Sequence, residues 1–294
     1  MPPIPRVLVT IPHFFNPEGD QRHGSTRKDP QPRIQALSRC VAALHQVLGS
    51  RQGVLQIVSR TAHPANEAVA VDLDVVVCTT GGHHLADRLP LPPGFFSHEA
   101  TAAEPKMLGF ECHRVLRDRF GAYDWYAFLE DDLILHDPWA LTKMAWFSRT
   151  FGPERLLQPN RYETSVHRTP RKLYIDGDLR KAVTDAFCPG DDPELAGDML
   201  GRAVRFRRAL NPHSGCFFLS AEQMGRWIAA PHFLDRDVRF IGPLESAASL
   251  GVMRSFRVYK PVMSNAAFLE IQHGSEGFLS LIGNGVEWRD EPLP

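Results

Sequence analysis

The sequence predicts an α/β protein whose central, largely parallel sheet is covered by helices. Two observations carry this prediction. Short apolar runs at residues 6–11 (RVLVTI), 73–79 (LDVVVCT) and 125–129 (WYAFL) have the character of strands buried on both faces. Segments with helical periodicity alternate with these runs, which is typical of a doubly wound sheet. A chain of 294 residues is long enough for one large α/β unit of this kind.

The individual elements follow from periodicity and from their flanking residues. Pro12 ends the first strand, and a polar loop extends from it to Pro32, while Gly49 ends the first helical pattern. The predicted helices share apolar side chains three and four positions apart, and they are residues 33–48, 105–120 and 243–250. The predicted strands are short and rich in β-branched or aromatic residues, and they are 6–11, 54–59, 73–79, 125–129, 215–220, 254–259 and 267–271.

The alternation of strand and helix weakens after about residue 150, so the chain divides into two parts of one continuous unit, 1–150 and 151–294. Residues 160–213 are the least regular part and mix aromatic rings with Arg, Asp and His. That composition suits sugar stacking and hydroxyl hydrogen bonds, and it suits a solvated insertion equally well. No internal repeat or low-complexity segment interrupts the chain.

Composition excludes several functional classes. Lys and Arg number 33 against 34 Asp and Glu, so no global field attracts nucleic acid or an anionic membrane. The five cysteines are odd in number and lack metal-binding spacing, which indicates buried thiols in a reducing compartment. No apolar run approaches the roughly 20 residues of a membrane helix. We therefore expect a cytoplasmic protein with no transmembrane segment and at most peripheral contact with a membrane.

Three acids directly follow the apolar run 125–129: Glu130, Asp131 and Asp132. In an open α/β sheet, ligands bind beyond the carboxyl ends of the strands, so these carboxylates are predicted at the floor of a site. Adjacent negative charges are costly unless a cation neutralises them. One interpretation is a hard divalent cation, Mg²⁺ or Mn²⁺, that in turn holds a diphosphate. The alternative is a solvated loop whose acids have no ligand.

The segment FLEDDLILHDP resembles the acid triplet of GT-A glycosyltransferases, particularly its LEDDL form in the protein O-mannose and N-glycan N-acetylglucosaminyltransferases. The resemblance implies a GT-A type, Rossmann-like central sheet flanked by helices, with a smaller acceptor-side subregion. Residues 1–150 would then bind the nucleotide-sugar donor, and residues 151–294 the acceptor. It also implies that Asp132 ligates the metal, while Glu130 and Asp131 face the ribose and the donor sugar.

Three further segments resemble GT-A features in the expected order. HSGCFFLS (213–220) resembles the loop and strand beside the donor sugar, where Gly215 permits close backbone approach. FIGPLESAASLGV (240–252) resembles the helix whose acid faces the acceptor, and Glu245 matches that acid although relatives often have two successive acids there. EIQHGSEGF (270–278) resembles the segment with a metal- or phosphate-binding histidine, which His273 matches.

These resemblances imply a metal-dependent transfer of a sugar from a nucleotide-sugar, most commonly a UDP-sugar, to a hydroxyl of a carbohydrate or other acceptor. A general base is needed to accept the proton of that hydroxyl, and Glu245 is the candidate. Direct displacement with this base predicts inversion at the anomeric carbon. Alternatives for Glu245 and His273 are a helix-dipole contact and a loop histidine, respectively.

The first strand and its loop are expected to hold the nucleotide. The remaining donor-site candidates share positions at strand ends or loops near the predicted site, and they are Thr10, Pro12, His13, Phe14, Arg33 and Lys106. Simple packing beneath the loop is the alternative for Phe14, and solvation for Lys106. Two other functions stay open. One is a metal-dependent nucleotidyltransferase or phosphohydrolase, although the sequence has no second acid cluster for a two-metal site. The other is a noncatalytic sugar- or nucleotide-binding protein on the same fold.

Overall fold

A computed structural model of the chain describes residues 4–20 and 24–291, so the outermost residues of the two predicted parts lie outside it. The strands in chain order are β1 (Arg6–Pro12), β2 (Gly53–Gln56), β3 (Thr61–Pro64), β4 (Asp72–Thr80), β5 (Ser97–Thr101), β6 (Trp125–Leu129), β7 (Leu133–Ile134), β8 (Arg155–Leu157), β9 (Asn160–Thr164), β10 (Lys172–Tyr174), β11 (Leu195–Met199), β12 (Arg202–Arg208), β13 (Cys216–Ser220), β14 (Arg257–Pro261) and β15 (Glu270–His273).

The helices in chain order are α1 (Gln31–Val47), α2 (Leu108–Asp118), α3 (Ala140–Phe151), α4 (Lys181–Asp185), α5 (Ala221–Ile228), α6 (Pro243–Glu245) and α7 (Gly251–Ser255). A π-helical segment, Ser246–Leu250, joins α6 to α7. Short 3₁₀ turns lie at Gly24–Thr26, Ala86–Arg88, Pro105–Met107, Met263–Phe268 and Leu279–Leu281. None of the helices within the described ranges is both long and apolar enough to cross a membrane.

The central sheet has five strands in the order β13-β6-β1-β4-β5. Strands β6, β1, β4 and β5 are parallel, and β13 is antiparallel to β6. Alternate side chains of β1 enter different cores: Val7 and Val9 pack on the side of α1, and Leu8 packs on the side of α2. The burial of both faces explains the continuous apolar sequence of β1. The parallel strands with helices on both sides confirm the predicted α/β class.

Two smaller sheets lie beside the central one. One has the order β10-β9-β15-β7, and the other has the order β11-β12-β14-β8. In the first of them, His273 of β15 is paired with Leu133 of β7, which follows the acid triplet by one residue. This long-range pairing brings the carboxyl-terminal part of the chain to the end of β6.

Several predicted boundaries are wrong. The run 54–59 is not a strand of the central sheet, because β2 and β3 pair only with each other in an exposed hairpin. Strand β14 starts at Arg257 rather than residue 254, since the helix continues to Ser255, and a 3₁₀ turn precedes β15. The supposedly irregular residues 160–213 contain four strands and α4. All five cysteines are free, and Cys188 alone among them is not buried.

Candidate functional site

The acid triplet opens into a cleft of about 540 Å³ at the carboxyl ends of β1 and β6. This volume lies within the roughly 300–1,000 Å³ range of small-molecule sites. The loop after β1, the start of α2 and α6 contribute to its lining together with the acid triplet, so apolar and charged residues both face the cleft. Its lining residues are Pro12, Phe14, Gly24, Ser25, Arg33, Pro105, Lys106, Leu108, Gly109, Glu130, Asp131, Asp132, Pro243, Leu244 and Glu245.

Asp131 is held by the side chain that directly follows the first strand and by one from the first helix. Nδ1 of His13 lies 2.6 Å from its Oδ2, and the Arg33 guanidinium donates to its Oδ1. His13 is completely buried, and its Nε2 accepts a hydrogen bond of 3.1 Å from the backbone N–H of Leu85. His13 therefore lies behind Asp131, where it fixes the carboxylate rather than lining the cleft.

Asp132 has a different environment. Its Oδ2 lies 3.4 Å from Nη1 of Arg33 and 3.6 Å from Nε2 of His273, whereas its buried Oδ1 has no hydrogen-bond partner among the described residues. Burial alone would raise the pKa of Asp132, but the contacts with His273 and Arg33 lower it to about 2. Asp132 is thus an ionised carboxylate with one oxygen still available to a ligand.

The orientation of His273 is set by a buried carboxylate. Nδ1 of His273 lies 2.8 Å from Oε1 of Glu163, a fully buried residue on β9. Oε2 of Glu163 accepts the backbone N–H of Leu279 at 2.7 Å. Burial lowers the pKa of His273, but Asp132 and Glu163 together raise it to about 9. The carboxylate–histidine pair aims Nε2 at Asp132, as outer carboxylates do for ligating histidines.

Glu130 is buried beneath Gly215, the residue that precedes β13. Gly215 has φ +64°, and a Cβ there would lie only 2.6 Å from Oε2 of Glu130. Oε1 of Glu130 has no hydrogen-bond partner among the described residues, although Nε2 of His213 is 3.6 Å away. Burial raises the pKa of Glu130 to about 8 despite the charge of Arg161. Glu130 thus offers a buried oxygen without a partner at the floor of the cleft.

A buried network of ion pairs contacts Glu130. Nη1 of Arg161 lies 3.5 Å from Oε2 of Glu130, and its Nη2 donates to Asp176 at 2.9 Å. Nζ of Lys260 reaches Asp176 at 3.2 Å and the carbonyl of His213 at 2.6 Å. Burial alone would raise the pKa of Asp176, but Lys260 and Arg161 lower it. This network ties β9, β14 and the loop before β13 to the acid triplet.

Glu245 also lines the cleft, at the last position of α6. Its Oε2 lies against the backbone of Gly242, where a Cβ would be only 2.8 Å away. The preceding turn is tight, since the N–H of Gly242 donates to the carbonyl of Phe240 at 2.7 Å with Ile241 between them at φ +60°. A β-branched residue in this conformation is strained, and such strain is frequently found beside functional sites. The side chain of Ser246 bonds both backbone groups of Phe240 and stabilises the turn.

The structure brings most of the predicted site residues to one cleft. Eight of them line it: Pro12, Phe14, Arg33, Lys106, Glu130, Asp131, Asp132 and Glu245. Lys106 pairs at 3.0 Å with the exposed Glu104, so its charge lies at the rim. Gly215 and His273 lie directly behind the acids rather than in the lining.

Thr10 does not line the cleft, contrary to the sequence prediction. It is completely buried, and its hydroxyl donates to the carbonyl of Ala127 on the neighbouring strand at 3.1 Å. Thr10 lies two residues before the end of β1. Its side chain is therefore covered by neighbouring parts of the sheet and does not reach the cleft. The prediction of a nucleotide-lining role for Thr10 and for the buried His13 is therefore wrong.

Sequence reasoning missed Arg161, Glu163, Asp176, His213 and Lys260. One signal was present: Arg161 and Glu163 are two positions apart in NRYET, so they share one face of a strand. Opposite charges on the same face of a strand predict a buried ionic layer when the neighbouring residues are also buried. The surrounding composition had suggested an irregular region, and the signal was not used.

The arrangement fits a divalent cation bound with the help of a ligand. Among residues 4–20 and 24–291, no three His, Cys, Asp or Glu side chains are placed to hold a metal by themselves. Mg²⁺ commonly takes only one or two protein carboxylates and completes its shell with water and substrate phosphates. Asp132, with its unpartnered buried Oδ1, and the adjacent His273 are the residues that could hold such a cation, His273 only after its ring loses a proton.

No protein-family model matches this sequence, and a search of curated proteins found no significant match. Function is therefore inferred from the geometry of the cleft and from the motifs that form it.

Proposed function

We propose that the protein is a metal-dependent glycosyltransferase of GT-A type that moves a sugar from a nucleotide-sugar, a UDP-sugar by preference, to a hydroxyl of a carbohydrate or other acceptor. The observation that carries the proposal is that the acid triplet and Glu245, which come from distant segments, line one cleft. Asp132, which contacts His273, follows the carboxyl end of β6, and Glu245 belongs to α6. Donor activation and acceptor deprotonation need carboxylates on two sides of a substrate.

The donor end of the cleft combines an apolar surface with cations. Pro12 and Phe14 offer a wall for a base or ribose, and Arg33 and Lys106 carry positive charge at the same end. A bound Mn²⁺ or Mg²⁺ would stabilise the negative charge that develops on the leaving diphosphate. Arg33 is suited to the same charge because its guanidinium matches phosphate geometry.

Glu130 and Glu245 have different roles in this proposal. Oε1 of Glu130, which has no hydrogen-bond partner among the described residues, would bond a hydroxyl of the donor sugar. Glu245 is partly buried and lies in the cleft wall, so it can accept the proton of the attacking hydroxyl. A single base on the side opposite the leaving group predicts inversion of the anomeric configuration.

Thermal unfolding in the presence of nucleotides tests the proposal. The panel contains UDP, GDP, ADP and nucleotide-sugars, each with and without Mn²⁺, because a ligand that binds the folded state raises its apparent stability. We expect one nucleotide to stabilise the protein only with Mn²⁺. Asp132→Asn should abolish that metal-dependent gain, and Asp118→Asn, an exposed acid on α2, is the matched control. Equal metal dependence in Asp132→Asn would contradict the assignment of the metal ligand.

Product formation distinguishes an enzyme from a noncatalytic binding protein. After the stabilising nucleotide is known, its sugar derivatives are incubated with the protein and Mn²⁺, and nucleoside diphosphate release is measured. Transfer or slow donor hydrolysis supports the proposal. Tight metal-dependent binding with no release under any acceptor would favour the binding protein. Conversion of the nucleotide-sugar and added pyrophosphate to nucleoside triphosphate and sugar 1-phosphate would favour the nucleotidyltransferase.

A further inference from the structure

The hairpin formed by β2 and β3 is exposed over its whole length, from Gly53 to Pro64. Its turn carries Ile57 and Val58, which are 73% and 98% exposed, and Leu55 is 67% exposed. Contiguous exposed apolar groups of this kind are typical of interaction surfaces. An isolated two-stranded hairpin is only marginally stable in water, so a second surface that covers this one would stabilise it.

The two faces of the hairpin differ in polarity. Leu55 is paired with Ala62 on one face, whereas the other face has Gln56 paired with Thr61 and a single exposed apolar residue, Val54, paired with His63. The polar face is bonded internally, because Oγ1 of Thr61 lies 2.9 Å from Nε2 of His63. The apolar face and the apolar turn are therefore the parts of the hairpin that water solvates poorly.

The charge of the hairpin is positive. Arg51 and Arg60 are both exposed, and the segment 51–66 (RQGVLQIVSRTAHPAN) contains no Asp or Glu. The net charge of the whole chain is −1. Salt screens charges over about 10 Å, so attraction to a charged surface depends on the residues nearest to that surface rather than on the net charge. A second copy of the hairpin would bring two more arginines against these two, which disfavours self-association.

We propose that the hairpin, defined as residues 53–64 with the flanking Arg51, docks on an anionic lipid surface. Ile57 and Val58 enter the boundary between headgroups and acyl chains, as the apolar side of a peripheral anchor does, and Arg51 and Arg60 contact anionic headgroups. This inference is independent of the proposed transfer reaction, because it uses no residue of the cleft.

The hairpin lies at the far end of the sheet from the cleft. Arg33 is in the first turn of α1 beside the acids, and α1 ends at Val47, about 21 Å away along the helix axis at ~1.5 Å per residue. Gly49 then bridges to Val71 immediately before β4 begins, at the amino ends of the parallel strands. Changes in the hairpin should therefore leave binding in the cleft unaffected.

Vesicle flotation with the full chain tests the proposal. Vesicles of phosphatidylcholine alone are compared with vesicles that also contain phosphatidylserine, at low and high salt. We expect binding to the anionic vesicles that weakens with salt. The double substitution Ile57→Ser with Val58→Ser should weaken it about tenfold or more, as should Arg51→Gln with Arg60→Gln. The matched control is Leu200→Ser, which removes an apolar side chain that is 96% exposed in the turn between β11 and β12.

Insertion is measured separately with Val58→Trp, since the indole emission of this residue should shift to shorter wavelength on addition of anionic vesicles. Circular dichroism and nucleotide-dependent unfolding check that each variant is folded and keeps its cleft. Failure of the wild-type chain to bind either vesicle, or equal binding by the Ile57→Ser, Val58→Ser variant, would overturn the proposal. Concentration-dependent self-association that the same variant abolishes would also overturn it, because the occupant would then be a second copy.

Discussion

Nδ1 of His273 lies 2.8 Å from Oε1 of the fully buried Glu163, and this contact turns the opposite nitrogen of the ring toward Asp132. The two residues are on adjacent parallel strands, β15 and β9. The orientation of a proposed metal ligand is therefore set by the packing of a sheet outside the central one.

Glu163→Gln should weaken Mn²⁺-dependent nucleotide binding by about 10–100-fold, the usual effect of removing an outer carboxylate. Gln still accepts the N–H of Leu279, so the fold should be kept. Calorimetric titration of nucleotide with and without Mn²⁺ measures the change. Glu270→Gln is the control, because Glu270 lies on the same strand as His273 but bonds Lys172 and Tyr174. A purely structural role for Glu163 would lower stability without changing the metal dependence.

Glu245→Gln should separate binding from chemistry. The amide keeps the size of the side chain but does not accept a proton, so donor affinity should persist while turnover falls by about 10² or more. Product formation and donor titration are measured on the same preparations, and the anomeric configuration of the product is read by NMR. Near-normal turnover, or retention of configuration, would remove Glu245 from the role of base.

Gly215→Ala should destabilise the protein more than Gly81→Ala does. Both glycines have positive φ, +64° and +55°, so each substitution costs about 1–2 kcal/mol for the backbone conformation. A Cβ at position 215 would also meet Glu130, whereas one at position 81 has no atom nearer than 4.0 Å. That overlap should add about 1–3 kcal/mol and weaken donor binding. Equal losses in urea unfolding would mean that Glu130 moves aside freely.

Asp176→Asn should lower the free energy of unfolding by about 3–5 kcal/mol at neutral pH, since it leaves Arg161 and Lys260 buried without a countercharge. The control Asp178→Asn removes an exposed pair with Arg207 and should cost about 0–1 kcal/mol.

The lowered pKa of Asp176 also predicts how the free energy of unfolding depends on pH in acid. Because its folded pKa lies below the ordinary 3.8, the stability it contributes is complete above pH 3.8 and is lost as the pH falls through the folded pKa. The difference between wild type and Asp176→Asn should therefore shrink in that acid range. A difference that is constant with pH would show that packing, rather than charge, is responsible.

The acid triplet was predictable as part of a site because it follows a buried strand, whereas Glu245 was placed near it only by the resemblance of FIGPLESAASLGV to a GT-A segment. Glu130 follows a strand whose apolar run has no polar break, and Glu245 follows a helix-opening Pro243. The central strands were predictable for the same reason, since residues buried on both faces leave a continuous apolar signature.

What sequence did not predict depends on pairing between distant segments. Glu163 meets His273 across 110 positions, and Arg161 meets Glu130 across 31, so no local periodicity contains these contacts. Thr10 was placed in the cleft because it is near the end of a strand, but it lies two positions before that end, where its side chain is fully buried and bonds the neighbouring strand. The apolar run at 54–59 was assigned to the core because periodicity does not distinguish a buried strand from an exposed hairpin.

Arg33 contacts both Asp131 and Asp132, so the chain carries its own counter-ion at the acid triplet. The folded state consequently does not depend on a metal to neutralise these carboxylates, and chelators should leave the protein folded. If the proposed cation and donor bind here, Arg33 would exchange carboxylate oxygens for diphosphate oxygens, for which its planar guanidinium is equally suited. Cation and donor affinities are then linked through one side chain, and each ligand should bind more tightly when the other is present.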